Sequence, residues 1–288
     1  MTRPFFSVVT ISFNQAPYLR KCVDSVLSQK GADVQYIVVD PGSTDGSRDI
    51  LAAYGDAIDR LVLEADQGPA DGLNKGFAQA AGEVGYFINS DDFLLPGAID
   101  RMRRLWAENA AIDILLGGAW MVNGEGEPLK ELVPSTGDLS ELLASDARVV
   151  QQGLSFRMDR LREVGGFNSS NRTCWDFELI CSFLRNGARA LVCKERFGAF
   201  RIYGESLSGG VGGGAHTQRY LEDLERIHIE TLGRASKKSS RLAKIVARAR
   251  RHLKEPTTSL SIIQDRLFPT RLHRRFNNDM KLSDFANR

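Results

Sequence analysis

The 288-residue chain has no apolar run approaching the ~20 residues that a membrane-spanning helix needs. Nothing near Met1 has the pattern of a secretory leader, because the first apolar run, Phe5 to Phe13, is short and is broken by Ser7, Thr10 and Ser12. Cysteine is scarce: Cys22, Cys174, Cys181 and Cys193 fall at spacings that fit no zinc motif. A cytoplasmic protein with reduced thiols is therefore expected. The four histidines offer no catalytic triad. A hydrolase of the Ser-His-Asp kind would carry its nucleophile on a Gly-x-Ser-x-Gly elbow. The nearest stretch, Gly204-Glu205-Ser206-Leu207-Ser208-Gly209, lacks a glycine at the required position. A dinucleotide-binding turn would place Gly-x-Gly-x-x-Gly after the first strand, where Asn14-Gln15-Ala16-Pro17 stands instead. Both classes are excluded on spacing.

Little charge of either sign is in excess, the net being +2, but its distribution is uneven. Between Arg234 and Lys254 there are nine Lys/Arg and no Asp/Glu, so a mildly acidic body precedes a strongly basic segment. The length allows one sizeable core, with or without a small appendage.

The first half alternates strand-like and helix-like segments. Phe6 to Phe13 is short and β-branched, and Tyr18 to Gln29 sets Leu19, Cys22, Val23, Val26 and Leu27 at helical spacing. Val34 to Asp40 reads as a second strand, closed by Pro41-Gly42-Ser43-Thr44-Asp45-Gly46. Helices are expected at Ser47 to Tyr54 and Pro69 to Ala80, strands at Ile58 to Leu63 and Val84 to Ile88, and a further helix starting at Pro96. Such units predict an α/β fold with a mainly parallel sheet flanked by helices. Ligands bind beyond the carboxyl ends of such strands, and Asp40, Asp66, Asp91 and Asp92 all fall there. The second half reads as a hairpin (Ile112 to Met121 and Leu129 to Val133), a strand over Arg148 to Phe156, a helix over Trp175 to Arg185, a strand over Ala188 to Cys193, a glycine-rich mobile loop from Leu207 to Gly214, and a helix over His216 to Leu232. Arg241 to Leu253 is amphipathic.

Several residues admit both a chemical and a structural role. Adjacent Asp91 and Asp92 at a strand end suit Mg²⁺ or Mn²⁺, which take carboxylate and phosphate oxygens, or they cap the following helix. Asp40 could accept from a pyrimidine imide, or it could stabilise its own turn. Around Asp66, Lys75 is placed to reach a phosphate and Asp71 a ribose or sugar hydroxyl; solvated first-turn charges explain Asp71 equally well. Asp176 is a candidate general base for an acceptor hydroxyl, or a cap for the Phe177 to Arg185 helix; Glu178 is the weaker candidate.

Seven segments in order carry a resemblance: VVTISFNQAPYL (Val8 to Leu19), YIVVDPGSTDGS (Tyr36 to Ser47), ADQGPADGLNKGFAQAAGE (Ala65 to Glu83), FINSDDFLLPGAI (Phe87 to Ile99), VQQGLSFR (Val150 to Arg157), VGGFN (Val164 to Asn168) and WDFELICSFLRNG (Trp175 to Gly187). Over about residues 5 to 208 the chain resembles the family-two glycosyltransferases with the GT-A fold. The resemblance implies a hexosyltransferase-type enzyme that moves a sugar from a nucleotide diphosphate donor to an acceptor hydroxyl with inversion; a UDP-linked donor is expected because Asp40 suits uracil, and thymidine presents the same imide edge. It implies that Ile11, Phe13 and Asp40 bind the base, Asp91 the ribose, Asp92 the Mg²⁺ or Mn²⁺ ion, and that Asp176 is the catalytic base; Asp66 and Lys75 complete the donor site. The alternative is an inactive nucleotide- or carbohydrate-binding protein on the same fold. Pro41, Gly153 and Glu178 depart from the family's usual glycine, proline and aspartate.

The implied organisation is a GT-A domain over residues 1–232, with a nucleotide-binding half (1–110) and an acceptor half (111–232), followed by a basic helical tail over 233–288. The acceptor implied is a saccharide or a lipid-linked one, in cell-surface polysaccharide or glycolipid synthesis. Residues 234–254 either contact the inner face of a membrane as a peripheral anchor or pack on the catalytic domain or on a second subunit in a homodimer. Nucleic acid is not an expected partner, because the segment lacks aromatic residues.

Overall fold

The computed structural model describes residues 3–134, 149–204, 215–232 and 269–281. The first half runs β1 (Phe6–Ile11), α1 (Ala16–Leu27), β2 (Val34–Val39), α2 (Ser47–Ala52), β3 (Arg60–Val62), α3 (Pro69–Ala78), β4 (Val84–Asn89), β5 (Phe93–Leu94) and α4 (Ala98–Glu108). The second half runs β6 (Ile114–Val122), β7 (Pro128–Leu132), β8 (Leu154–Arg157), α5 (Met158–Glu163), α6 (Trp175–Arg185), β9 (Ala190–Arg201), α7 (Ala215–Leu232) and α8 (Pro269–Met280).

The strands form one sheet in the order β3-β2-β1-β4-β8-β6-β9-β5, with β7 also paired to β6. The block β3-β2-β1-β4 is wholly parallel. Beyond it β8 is antiparallel to both β4 and β6, and β6 and β9 are again parallel. This is the GT-A arrangement of a parallel sheet flanked by helices.

Both faces of the central strands are apolar, and successive residues feed opposite layers, as the two-residue period of a strand requires. Val8, Tyr36 and Tyr86 pack with Leu19, Val23 and Val26 of α1 and with Ile99, Met102 and Trp106 of α4. Val9, Ile37 and Phe87 pack with Leu73 and Phe77 of α3, Leu161 of α5, and Leu179, Ile180 and Phe183 of α6. The few polar groups between layers are paired: the Thr10 and Tyr36 hydroxyls lie 3.0 Å apart, and Trp106 Nε1 donates to Ser155 Oγ at 3.0 Å. All four cysteines are free thiols.

Some expected boundaries move, each for a local reason. The helix expected from Pro96 starts at Ala98, because Gly97 takes a left-handed conformation (φ 67°) at its N-cap. The strand expected over Arg148 to Phe156 shrinks to β8, because Gln151–Gly153 form a 3₁₀ turn first. That turn explains Gly153: a Cβ there would lie 2.0 Å from the Gly117 carbonyl oxygen on β6. The Gly153 N–H also donates to Val150 O at 2.9 Å, a bond that proline could not make. The strand expected over Ala188 to Cys193 continues to Arg201, through residues that pair with β6 and β5. The hairpin β6–β7 and the helix α7 lie where expected.

Helix α8 lies within the helical tail expected over 233–288. Its Leu272 and Phe276 cover Trp120, Val122 and Phe93. Trp120 Nε1 donates to Asp279 Oδ2 at 2.8 Å, and the guanidinium groups of Arg196 and Arg275 lie 5.3 and 5.5 Å from the Trp120 ring. The glycine-rich segment from Leu207 to Gly214 and the basic stretch 234–254 lie outside the described residues. No helix among the described residues is long and apolar enough to cross a membrane.

Adding a side chain at Gly153 must push the 3₁₀ turn off the β6 backbone. Gly153→Ala is expected to lose about 3 kcal/mol or more, the upper range for overpacking a rigid contact. A urea unfolding midpoint equal to that of the wild type would show the contact to be soft.

Candidate active site

The sheet register gathers the sequence-predicted residues. Ile11 ends β1 opposite Val39 of β2 and Asn89 of β4, so Ile11, Asp40 and the Asn89-Ser90-Asp91-Asp92 run leave three adjacent strands at one edge. Phe13 follows, with 59% of its surface exposed at the start of the β1–α1 loop. The loop is tied to its neighbour: Asn14 (φ 52°) accepts from Thr44 N at 2.9 Å and donates from its own N–H to Ser43 Oγ at 2.8 Å, while Ala16 N donates to Asp45 Oδ2 at 2.8 Å.

Asp40 is fully buried and heavily used by its own turn. Its carboxylate accepts from Ser43 N (2.8 Å), Ser43 Oγ (2.6 Å), Gly42 N (3.1 Å) and Arg48 Nε (3.1 Å). Burial pushes this carboxyl up, but the hydrogen bonds from Ser43, Arg48 and Gly42 outweigh it and hold it below its ordinary value. Pro41, with no N–H to offer, leaves the Gly42 and Ser43 amides to make this turn. The turn-stabilising role is thus filled, with Oδ2 accepting from Ser43 Oγ and Oδ1 taking the other three bonds.

On the other side of β1, Asp66 accepts from Gly68 N at 2.8 Å, and a Cβ on Gly72 would fall 2.6 Å from Asp66 and 3.6 Å from Ile11. Gly72 is what lets this carboxylate lie close to the β1 end. Burial raises the Asp66 carboxyl above its ordinary value. Asp71 accepts from Gln67 N at 2.9 Å and pairs with Lys75 at 3.3 Å, which also donates to Ala65 O. Lys75 therefore folds back on its own loop. Arg172 lies against Gly68, so the segment leading to Asp176 meets the Asp66 loop.

Asp91 and Asp92 differ sharply. Asp92 is 1% exposed; its Oδ1 accepts from Arg201 N at 2.8 Å and its Oδ2 from Gln152 Nε2 at 2.7 Å. Asp91 is half-buried and accepts from the Tyr203 hydroxyl at 3.1 Å, which also lies 3.0 Å from Gln15 Oε1. Burial raises both carboxyls, Asp92 far above its ordinary range with the Asp91 charge as second cause. Among the described residues no cationic side chain forms an ion pair with either. The Arg201 charge acts on both, and two adjacent carboxylates of this kind could hold a divalent cation together with substrate phosphates. Neither acid caps a helix: Gly97 occupies the N-cap of α4.

Asp176 lies in the first turn of α6, whose N-cap is Cys174, so the cap role expected for it is not the one it has. The neighbouring Trp175 belongs to the apolar layer that also holds Leu179, Ile180 and Phe183 of α6. Burial raises the Asp176 carboxyl, opposed by the Phe177 backbone N–H, and among the described residues no side chain donates to it. Glu178 is the reverse case. It accepts from Arg226 through two bonds (2.6 and 2.8 Å), from Asn168 (2.8 Å) and from Asn171 (2.6 Å), and these hold its carboxyl low against the opposing effect of burial. It joins α6 to α7 and has no lone pair left for chemistry.

Sequence reasoning missed Arg201, Gln152, Tyr203 and Arg48. Gln152 carried a faint signal as a polar pair with Gln151 inside an apolar stretch. Arg201 carried none, because only the pairing of β9 with β5 and β6 brings it to Asp92.

Residues 7–137 match the family described as Glycosyl transferase family 2. The chain is similar to the putative teichuronic acid biosynthesis glycosyltransferase TuaG of Bacillus subtilis, at 28% identity over 79% of this chain and 91% of that one. It is also similar to an uncharacterized glycosyltransferase of Nostoc sp., at 27% identity over 69% of this chain but only 65% of the relative. Among solved structures, S. aureus TarS 1-349 in complex with UDP-GlcNAc superposes with a TM-score of 0.62 at 20% identity, over 81% of this chain and 68% of that one. The mannosyltransferase PcManGT from Pyrobaculum calidifontis, in complex with GDP-Man and Mn²⁺, gives 0.55 at 16% identity over 92% and 85%. These two likenesses carry the fold.

The two acids of α6 should separate by stability. Glu178→Ala removes the two-bond pair with Arg226, which keeps its longer contacts to Asp223 and Glu230, and is expected to cost about 2–3 kcal/mol, below the range for a fully broken buried pair. The raised Asp176 carboxyl means that the folded state holds its proton more tightly than the unfolded chain. Its contribution to stability is present at low pH and is lost as pH rises through the interval from the ordinary to the raised value. Asp176→Asn should therefore be at least as stable as the wild type at neutral pH and flatter in its stability profile above about pH 4. Chemical denaturation across pH checks both, and a large loss in Asp176→Asn would make Asp176 a structural group.

Proposed function

The chain belongs to glycosyl transferase family 2 and has the GT-A fold, and from that premise we propose that it is an inverting, divalent-metal-dependent hexosyltransferase. The donor is a nucleotide diphosphate sugar, UDP-linked, and the acceptor is a hydroxyl on a growing cell-surface polysaccharide or glycolipid. The observation that carries the mechanism is Asp176: a carboxylate raised by burial, with no side-chain donor among the described residues, on a helix whose preceding segment meets the Asp66 loop through Arg172. The likeness to TuaG, a putative teichuronic acid biosynthesis glycosyltransferase, supports the acceptor class, and TarS bound to UDP-GlcNAc supports the donor class.

In this reading Ile11 and the exposed Phe13 ring hold the base, and Asp40 reads its imide. Asp91 takes the ribose, with the Tyr203 hydroxyl fixing its rotamer. Asp92, oriented by Arg201 and Gln152, holds Mg²⁺ or Mn²⁺ with the diphosphate. The bound cation neutralises the charge that develops on the departing diphosphate; the Mn²⁺ in the PcManGT complex supports this choice. Asp66 and Lys75 line the sugar and phosphate side. Lys75 must leave Ala65 O to do so.

Asp176 accepts the proton of the acceptor hydroxyl as the oxygen attacks the anomeric carbon. The bond from that carbon to the diphosphate oxygen breaks in the same step, and its electron pair leaves with the diphosphate. A single in-line displacement inverts the centre, so an α-linked donor gives a β-glycoside. Raising the Asp176 carboxyl brings its basicity nearer to working pH, at the cost of the stability described above.

The division into a nucleotide half, an acceptor half and a basic tail, with membrane contact or dimerisation through 234–254 and location at the inner membrane face, belongs to this same proposal.

Two variants test these roles. Asp176→Asn is expected to reduce transfer at least about a thousandfold, in the range of general-base removal, with UDP affinity unchanged; full activity would remove the base. Asp92→Asn keeps the shape but loses charge, and should weaken UDP binding in Mn²⁺ and not in EDTA, as read by calorimetry. An equal loss in both would end the ligand assignment.

A further inference from the structure

A buried guanidinium lies directly behind the acidic pair. Arg201, the last residue of β9, is 3% exposed. Its N–H donates to Asp92 Oδ1 at 2.8 Å and its Nε to the Asp91 carbonyl at 2.8 Å. Its Nη1 donates to the carbonyl oxygens of Asn123 and Gly124 in the β6–β7 turn. The guanidinium lies 4.6 Å from the centre of the Tyr18 ring and 5.7 Å from that of Phe93. The Tyr18 ring in turn packs at 4.8 Å against Tyr203, whose hydroxyl touches Asp91.

Two features separate this arginine from a fold-bracing one. First, among the described residues its guanidinium makes no direct ion pair; it donates to carbonyl oxygens. Arg196, five residues earlier on the same strand, shows the usual alternative: it is paired with Asp279 at 2.6 Å and Glu131 at 2.6 Å while stacked on Trp120. Burying a charge is costly unless its donors are met; here carbonyl oxygens and two aromatic faces meet them, with the Asp91 and Asp92 charges nearby. Second, its bonds converge on both members of one dipeptide: the side chain of Asp92 through the main chain, and the main chain of Asp91 through the guanidinium. The Asp91-Asp92 peptide is thereby held from two directions, and the planar fork of arginine, unlike an ammonium, can reach the Asp91 carbonyl and the β6–β7 turn together.

We propose that Arg201 is a positioning residue that locks the Asp91-Asp92 dipeptide in the geometry that receives the nucleotide and its cation, using the β6–β7 turn and the Tyr18 ring as its supports. This rests on the reading of Asp91 and Asp92 given above. Outer contacts that orient metal ligands commonly change affinity ten- to hundredfold when removed, and a guanidinium fixed in a rigid fork orients better than a flexible amine.

The test uses the full chain with UDP as the probe, by calorimetry in Mn²⁺ and in EDTA, and Mn²⁺ binding followed separately by electron paramagnetic resonance, all below the melting transition. Arg201→Met keeps the stem between Tyr18 and Phe93, and Arg201→Lys keeps the charge. Arg196→Met is the control for general loosening of β9. Arg201→Met and Arg201→Lys are expected to bind UDP with Mn²⁺ about tenfold more weakly, to bind UDP in EDTA within about twofold of wild type, and to hold Mn²⁺ more weakly. Arg196→Met should lower the melting temperature and leave both affinities in place. Wild-type affinity in the folded Arg201 variants, or a loss matched by Arg196→Met or equal in Mn²⁺ and EDTA, overturns the proposal. If neither Arg201 variant folds, Tyr18→Leu decides: it removes the ring beneath the guanidinium and should weaken UDP–Mn²⁺ binding in the same direction, whereas unchanged binding overturns it. A wild type whose UDP affinity ignores Mn²⁺ would refute the cation role of the pair instead; Arg201 is then judged in EDTA alone, where a tenfold loss confined to Arg201→Met supports it and parity refutes it.

Discussion

The parallel pairing of β1 with β2 on one side and β4 on the other is the constraint on which the site depends. Ile11 stands level with Val39 and Asn89, so three chain segments far apart in sequence must leave the sheet together. A slip of one residue in either ladder would turn every core side chain to the wrong layer, and both layers are filled with large apolar groups. The packing that fixes the register therefore fixes the distance between the acids. Crossover helices that begin just beyond those strand ends, α1 after Gln15 and α3 after Gly68, bring their first turns to the same edge.

The acids at that edge divide by what surrounds them. Asp40 and Glu178 are saturated with donors and hold the chain in place; Asp92 and Asp176 are buried beyond what their donors offset. Unfavourable burial of a carboxylate persists only where other contacts stabilise the surrounding structure, and it concentrates where chemistry needs it. Here the stabilising contacts are nearby: the Glu178–Arg226 clamp sits two residues from Asp176, and the stacked Arg201, Tyr18 and Tyr203 sit behind Asp91.

Much of the first half was legible in the sequence because its signals are local. Val8, Tyr36 and Tyr86 belong to short β-branched or aromatic runs, Gly46 and Gly68 mark helix starts, and each acid stands at the end of such a run. The second half was less legible. Gly153 looked anomalous until the Gly117 backbone appeared 2.0 Å from its missing Cβ, a contact that no local pattern records. The strand that ends at Arg201 is twelve residues long and half-buried over much of its length, so it lacks a clean alternation. Arg201 itself is one of many arginines until β9 is paired. Asp176 was read as a base with a helix cap as the alternative, and the cap position is held instead by Cys174, a poor capping residue. Lys75 looked free to reach outward, whereas its ammonium lies on its own loop carbonyl at Ala65.

The docking of α8 has a consequence for how the molecule is made. Trp120 and Asp279 bond across 159 positions of sequence, and Leu272 and Phe276 complete the apolar layer over Trp120. During synthesis that face of β6 stays bare until α8 has been made, long after β1 to β4 have emerged and can pair. A ribosome adding residues at ordinary speed leaves that tryptophan face uncovered for roughly ten seconds or more. The nascent protein is most open to self-association in that interval, and a chain cut short before residue 269 would keep the wet tryptophan face permanently.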